Sequence, residues 1–233
     1  MKQVNNMSDL IISDSHIGNP RFDSDGFIDI LTRPEFNRII LNGDIFDIWE
    51  DDFDDIVKNN LGVVTTIQEI SINKVVVYII GNHDPSPEKI KIIFPNIIIA
   101  DEFKIDNGII FHGHQYDDNI LKYSWFGKIL FYFNWILSRI GLDLRTILAD
   151  CWRKLLSSIA NKKDKEYYED LVLDVEQSIV DDYKNMFKFV IVGHTHWQKI
   201  TTIDNFIYAN CGDWIGHRQY ATYTQGKISL SRY

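Results

Sequence analysis

Six of the seven histidines stand in four short motifs: Asp14-Ser15-His16, Gly81-Asn82-His83-Asp84, His112-Gly113-His114 and Gly193-His194-Thr195-His196. Asn42-Gly43-Asp44 lies between the first two. Neutral imidazole is the commonest metal ligand in proteins, and imidazole, carboxylate and amide donors together select borderline-to-hard divalent ions. The chemistry open to such a set is hydrolysis at a metal centre. A single DxH or GHxH arises by chance in many chains; five motifs in one order are hard to explain that way.

The elements that must position these residues are legible in the apolar pattern. Short runs rich in Ile and Val, bounded by polar turns, predict strands over Asp9 to Ile12, Arg38 to Leu41, Lys74 to Ile80 and Ile97 to Ala100. Helical spacing falls between them at Gly26 to Leu31, Phe53 to Ile72 and Pro87 to Phe94, so the first half reads as an alternating strand and helix pattern with a largely buried sheet. Asp106-Asn107-Gly108 joins Glu102 to Ile105 with Ile109 to Phe111 as a hairpin. Asp118 to Lys184 reads as helices. Strands resume at Phe187 to Val192, Gln198 to Ile203, Phe206 to Asn210, Tyr220 to Thr224 and Lys227 to Leu230, mainly antiparallel. Each motif follows the end of a strand, and in open α/β sheets ligands gather beyond the carboxyl ends of strands. One mouth can collect them all.

Composition bounds the function classes. The chain has 233 residues, 45% of them hydrophobic and 24% charged, as expected for one large globular domain spanning 1–233. A net charge of −9 argues against nucleic acid as the partner, because phosphate backbones call for a basic face. Cys151 and Cys211 form no CxxC pattern, which argues against a thiolate zinc site and a disulfide framework and for a reducing compartment. The absence of a signal-peptide pattern and of an 18-residue apolar run predicts a cytoplasmic protein that does not span a membrane.

The order of motifs resembles the calcineurin-like metallophosphoesterase superfamily, whose signature is DxH, GD, GNHD or GNHE, a further histidine, and GHxH. The resemblance covers nearly the whole chain. It implies an αββα sandwich of two mixed sheets with flanking helices and a helical insert over the active site at about 118–185. It implies that Asp14, His16 and His196 hold one divalent metal, that Asn82, His112 and His194 hold the second, and that Asp44 bridges them. Mn²⁺ is the expected ion, with Fe²⁺ and Zn²⁺ compatible with the same donors. His83 is assigned to the substrate side, where an imidazolium stabilises charge or protonates the leaving oxygen, and Asp84 to orienting it. His112 is the ligand of its motif, with His114 behind it, and His217 reads as a loop residue.

Features outside the shared motifs narrow the branch. Gly43-Asp44-Ile45-Phe46-Asp47-Ile48-Trp49, the helical insert after His112, and Asn210-Cys211-Gly212-Asp213-Trp214 are similar to the UDP-2,3-diacylglucosamine hydrolases, which cut the pyrophosphate of a lipid-linked nucleotide. Gly-Asn-His-Asp stands where those hydrolases usually have Gly-Asn-Arg-Asp, and His-Gly-His where they have His-Gly-Asp, which widens the choice to related phosphodiesterases and nucleotide phosphatases. A non-catalytic scaffold of the same fold shares the His112 to Gln115 sequence, although retention of Asp44 and His83 favours catalysis. From Ile120 to Lys165 there are nine Lys or Arg against Asp143, Asp150 and Asp164, interleaved with aromatics from Tyr123 to Trp135. That mixture predicts either a lid in peripheral contact with a membrane, with Trp125, Arg153 and Lys154 near a lipid-nucleotide substrate, or packing against the sheet or another subunit.

Overall fold

The computed structural model describes residues 8–49, 51–117 and 163–233. Contacts divide the chain into two compact units, Met1–His114 with Val180–Tyr233, and Gln115–Ile179. The first holds two mixed sheets.

The six-stranded sheet is built from β1 (Ser8–Ile12), β2 (Phe36–Asn42), β3 (Val75–Ile79), β4 (Ile98–Ala100), β10 (Gln219–Thr224) and β11 (Lys227–Arg232), in the order β11-β10-β1-β2-β3-β4. β1 to β4 run parallel, joined by α1 (Ser24–Thr32), α2 (Phe53–Asn59), α3 (Leu61–Asn73) and α4 (Pro87–Ile93), while β10 pairs antiparallel with β1 and β11. The five-stranded sheet comprises β5 (Glu102–Ile105), β6 (Gly108–Phe111), β7 (Phe189–Val192), β8 (Lys199–Ile203) and β9 (Phe206–Asn210), ordered β5-β6-β7-β9-β8.

Period-two alternation explains the layering. Leu10, Ile12, Ile39, Leu41, Val76 and Tyr78 face a core shared with Phe27 and Ile30 of α1, Ile56 of α2, Ile67 of α3 and Ile90 of α4. The intervening Ile11, Ile40, Val77 and Ile79 face the other way, into a second core completed by Ile110, Ile191 and Ala209 of the five-stranded sheet and by Cys211 just past β9. Strands buried on both faces must read as unbroken apolar runs, which is why β1, β2 and β3 are almost wholly Ile, Leu, Val and Tyr where they are buried.

One expectation needs refinement and one correction. The last third is mainly antiparallel, but β7 pairs parallel with both β6 and β9. Its four residues, Phe-Val-Ile-Val, are all buried, the mark of a strand covered on both faces, whereas β8 with β9 and β10 with β11 are antiparallel hairpins. The segment Phe53 to Ile72 is two helices, because Asn60 (φ −123°, ψ 35°) leaves helical geometry; its N–H and side-chain amide donate back to Ile56 O while its carbonyl accepts from Val64.

The Gln115–Ile179 unit includes most of α5 (Lys163–Tyr183), helical as expected of the insert. Trp125, Arg153 and Lys154 lie outside the described residues, as does the rest of the basic and aromatic stretch up to residue 162. Among the described residues no helix is long and apolar enough to cross a membrane.

Candidate metal centre

The loops that leave β1, β2, β3, β6 and β7 carry Asp14 and His16, Asp44, Asn82 and His83, His112, and His194 and His196. Five of these residues have left-handed backbone: Asp14 (φ 53°), His16 (48°), Asp44 (53°), His194 (65°) and His196 (57°). Positive φ is uncommon away from glycine, and such strain persists where surrounding structure over-determines it, typically at functional sites. The alternation that strands impose is broken here to turn successive side chains toward one point. Close approach of the loops does the rest. A Cβ on Gly43 (φ 81°) would meet the His112 ring, and one on Gly193 would meet Ser13 Oγ.

The structure brings the sequence-selected residues together in two groups. Ligand atoms of Asp14, His16 and His196 lie within 4.8 Å of one another, and so do those of Asp44, His112 and His194. His196 Nε2 is 3.1 Å from Asp14 Oδ1, and His112 Nε2 is 3.2 Å from Asp44 Oδ2. Asp14 Oδ1, His16 Nε2, His112 Nε2 and Asn82 Oδ1 are buried without a hydrogen-bond partner. A buried polar atom left unsatisfied costs about 1–3 kcal/mol, so four of them converging from the proposed ligand set fit a pair of divalent cations. The donor set is nitrogen and oxygen only. Cys211 adds no thiolate: burial pushes its pKa up to about 12, and its thiol donates to Val192 O at 3.0 Å.

The other ring nitrogens are tied down, which aims the free ones. His112 Nδ1 donates to Asn42 O at 2.9 Å, and His16 Nδ1 to Asp47 Oδ2 at 3.1 Å, leaving Nε2 of each for a metal. Asp14 Oδ2 accepts from the Ser13 hydroxyl and from His194 N–H at 3.0 Å, leaving Oδ1 to face His196 Nε2. Asp44 Oδ1 accepts from His83 N–H at 2.8 Å.

Electrostatics follows from this crowding. Burial acts to raise Asp14, but the charges of His196 and His112 hold it down at about 2. Asp44 lies well below the ordinary carboxylate range, burial being outweighed by His112 and His83. Burial disfavours charge on His112, yet Asp44 and Asp14 push its pKa up to about 10, and His196 moves up for the same kind of reason. His114 goes the other way, down to about 4, through burial and the neighbouring His112 and His194. It sits among the candidate ligands, its ring centroid 5.5 Å from that of His112, where a neutral imidazole is favoured.

Asp84 does not orient His83. Its carboxylate accepts from the N–H groups of Asp44 (2.8 Å), Ile45 (2.9 Å), Phe46 (3.0 Å) and Gly81 (2.8 Å) and from Tyr78 O–H (2.6 Å). It clamps the Asp44 loop onto the Gly81 loop and has no acceptor left for the ring. The role expected of Asp84 falls to Asp47, whose Oδ1 takes His83 Nδ1 at 2.9 Å while Oδ2 holds His16. Burial lowers the His83 pKa, but Asp47 and the charges of Asp44 and Asp14 outweigh it, so the ring is shifted toward imidazolium. Trp49, 57% exposed, stacks on the same ring at 4.6 Å between centroids.

Sequence reasoning gave no role to Asp47, Trp49 or Asp213. The first two stand in the Gly43 to Trp49 run, so the available signal was their distance from Asp44. His217, read as a loop residue, has Nδ1 2.6 Å from Oδ2 of the buried Asp213 and lines a cleft with His16 and His196.

No family model matches the chain, and no curated protein matches its sequence. Its structure is similar to that of YfcE, a phosphoesterase from E. coli, with a TM-score of 0.51 at 12% identity, covering 97% of this chain and 93% of that one. An archaeal phosphodiesterase aligns with a TM-score of 0.49 at 17% identity over 97% of this chain and 99% of its own. A single mutant of Vps29 from Entamoeba histolytica aligns with a TM-score of 0.43 at 14% identity, over 97% and 98%. The likeness to YfcE shows the fold, which is that of the metallophosphoesterases.

Proposed function

We propose that the protein is a dinuclear metal-dependent hydrolase of phosphoester or pyrophosphate bonds. The observation that carries this reading is the convergence of Asp14, His16 and His196 beside Asp44, His112 and His194, with four buried ligand atoms that have no hydrogen-bond partner. Asn82 Oδ1 belongs with the second group, and Asp44 is the carboxylate that would serve both. Two cations held there would acidify a water between them and neutralise phosphoryl oxygens. Mn²⁺ is the ion of choice for the first test, with Fe²⁺ and Zn²⁺ as alternatives for these donors.

The chain's own residues supply the rest. His83, held by Asp47 and shifted toward imidazolium, presents a positive N–H donor to a phosphoryl oxygen or to the departing oxygen. Asp84 keeps the Asp44 and Gly81 loops in register, and Tyr78 donates to Asp84 from below. The finer reading is a lipid-linked nucleotide such as UDP-2,3-diacylglucosamine, with the Ile120 to Lys165 stretch covering the acyl chains against a membrane. It rests on the likeness of the Gly43 to Trp49 and Asn210 to Trp214 runs to the UDP-2,3-diacylglucosamine hydrolases, together with the basic and aromatic composition of that stretch.

The test is hydrolysis of bis(p-nitrophenyl) phosphate by the Mn²⁺-loaded chain. Activity should vanish with chelator, return with Mn²⁺, and fall about 10²–10³-fold in Asp44→Asn, since one lost electrostatic contact at a transition state costs about that much. Normal function of an Asp44→Ala, His83→Ala double variant would leave a scaffold as the reading, and wild-type hydrolysis rates in that variant would put the activity outside this site. Release of UMP from UDP-2,3-diacylglucosamine, compared with hydrolysis of cyclic nucleotides, decides between the lipid and soluble substrates.

A further inference from the structure

Beside the His16 and His196 side of the centre is a cleft of about 320 Å³, lined also by Asn19, Arg21 and His217. Both of its walls are anchored to the metal loops. Asn19 N–H donates to His16 O at 3.0 Å, and Asn19 Oδ1 accepts Arg21 N–H at 3.1 Å, which fixes the turn that carries Arg21. Opposite, Trp214 N–H donates to Ser13 O and Asp14 O, and Ile215 N–H to Asp14 O, each at 3.2 Å. Asp213, 1% exposed, then accepts from Gly216 N–H at 2.5 Å, His217 N–H at 3.1 Å and His217 Nδ1 at 2.6 Å. His217 is thus on a loop yet held at two points to a residue beside the centre.

The chemistry of the cleft is that of an anion site. Its two carboxylates are already committed, Asp47 to His16 and His83 and Asp213 to the His217 loop. What remains for a ligand is the Arg21 guanidinium, which has no carboxylate within ion-pairing distance among the described residues, the Asn19 amide N–H₂, and Nε2 of His217. A planar guanidinium fork matches two phosphate oxygens. A phosphate also offers accepting oxygens and, when singly protonated, an O–H, so it can meet Nε2 in either state of the ring.

We propose that Arg21, Asn19 and His217 form a subsite for a second phosphate of the substrate, next to the one that is cut, so that the substrate class is a pyrophosphate diester. The proposal rests on the hydrolase reading above. Hydrolysis of such a substrate forms one P–O bond from water and breaks the bridging P–O bond, yielding two phosphomonoesters. The water's proton leaves with the bridging oxygen or to solvent. The subsite holds the phosphate whose charge increases as that bond breaks.

The test uses the Mn²⁺-loaded full chain with UDP-glucose as the pyrophosphate diester and bis(p-nitrophenyl) phosphate as a diester with one phosphate. Arg21→Ala should lose about ten- to a hundredfold more kcat/KM on UDP-glucose than on the single-phosphate substrate, chiefly in KM, the size of a charge-assisted hydrogen bond. His217→Gln should act in the same direction, and Arg21→Lys should recover part of the loss by restoring charge without the fork. Equal losses on the two substrates overturn the subsite. A second arm needs no turnover: calorimetric titration of UDP-glucose into the Ca²⁺-loaded chain and its Arg21→Ala variant. At least tenfold weaker binding by the variant upholds the subsite even if the wild type proves inactive, which sinks only the hydrolase reading. Equal affinity, or no binding by a wild type that cuts bis(p-nitrophenyl) phosphate, overturns the subsite and leaves that reading standing.

Discussion

Asp47→Asn is the substitution that most sharply separates orientation from ligation. Asp47 is outside the proposed ligand set, yet its two oxygens accept from His16 Nδ1 at 3.1 Å and His83 Nδ1 at 2.9 Å. The amide keeps the shape but offers one acceptor and one N–H₂ donor, so one of the two rings meets a donor where it needs an acceptor. If that ring is His16, its proton moves to Nε2 and the lone pair meant for the metal is lost. Loss of an outer partner of this kind costs about 10–100-fold in metal affinity, or about 1.4–2.8 kcal/mol. The loss should fall on the Asp14, His16 and His196 group and spare Asp44, His112 and His194, where His112 is oriented by the Asn42 carbonyl instead. Stepwise Mn²⁺ titration followed by calorimetry and by the electron spin resonance of free Mn²⁺ resolves the two affinities. If His83 is the ring affected, it loses a contact that holds its pKa up against burial, so the alkaline limb of the rate profile should move to lower pH. Equal weakening of both metal sites, or unchanged affinities and an unchanged pH profile, would refute the assignment of Asp47.

Three further outcomes follow from contacts around the centre. Without metal, His112 holds its proton up to about pH 10, so Mn²⁺ binding at pH 8 should release protons and tighten as pH rises, measurable as a dependence of binding heat on buffer ionisation. For the chelated protein, the raised pKa of His112 means that its pairing with Asp44 contributes stability that is complete below the ordinary value of 6.5 and lost as pH rises through about 10. The urea midpoint should therefore decline across that window unless metal is restored. Asp84→Ala removes the acceptor of four backbone N–H groups and the Tyr78 hydroxyl in a buried site, and should cost about 3–5 kcal/mol of unfolding free energy by urea denaturation. A variant with native stability and altered catalysis alone would return Asp84 to a role at the substrate.

Sequence by itself went far because two constraints act locally. Strands buried on both faces must be continuous Ile and Val runs, so β1, β2, β3 and β7 were legible within one or two residues. A metal accepts few side-chain types, so the histidine and carboxylate motifs at strand ends stood out as candidates by type and position, and the family resemblance supplied the proposed ligand set of Asp14, His16, Asp44, Asn82, His112, His194 and His196. Asn60 was harder, since one polar residue in a helical pattern does not announce that its backbone leaves the helix. The parallel pairing of β7 was invisible because the partner of a strand is chosen by the course of the whole chain. The same limit governed the residues around the metals. Asp47 and Asp84 are both carboxylates within two residues of a site histidine or a motif boundary, and their types alone favour neither role. Left-handed turns at Asp44 and His16 and the approach of Gly81 to the Asp44 loop determine that Asp84 lies under four amides while Asp47 lies between two imidazoles. Residue type sets what a group can bind; only the folded backbone sets which groups are within 3 Å of it, because hydrogen bonds and metal coordination fall off within a fraction of that distance.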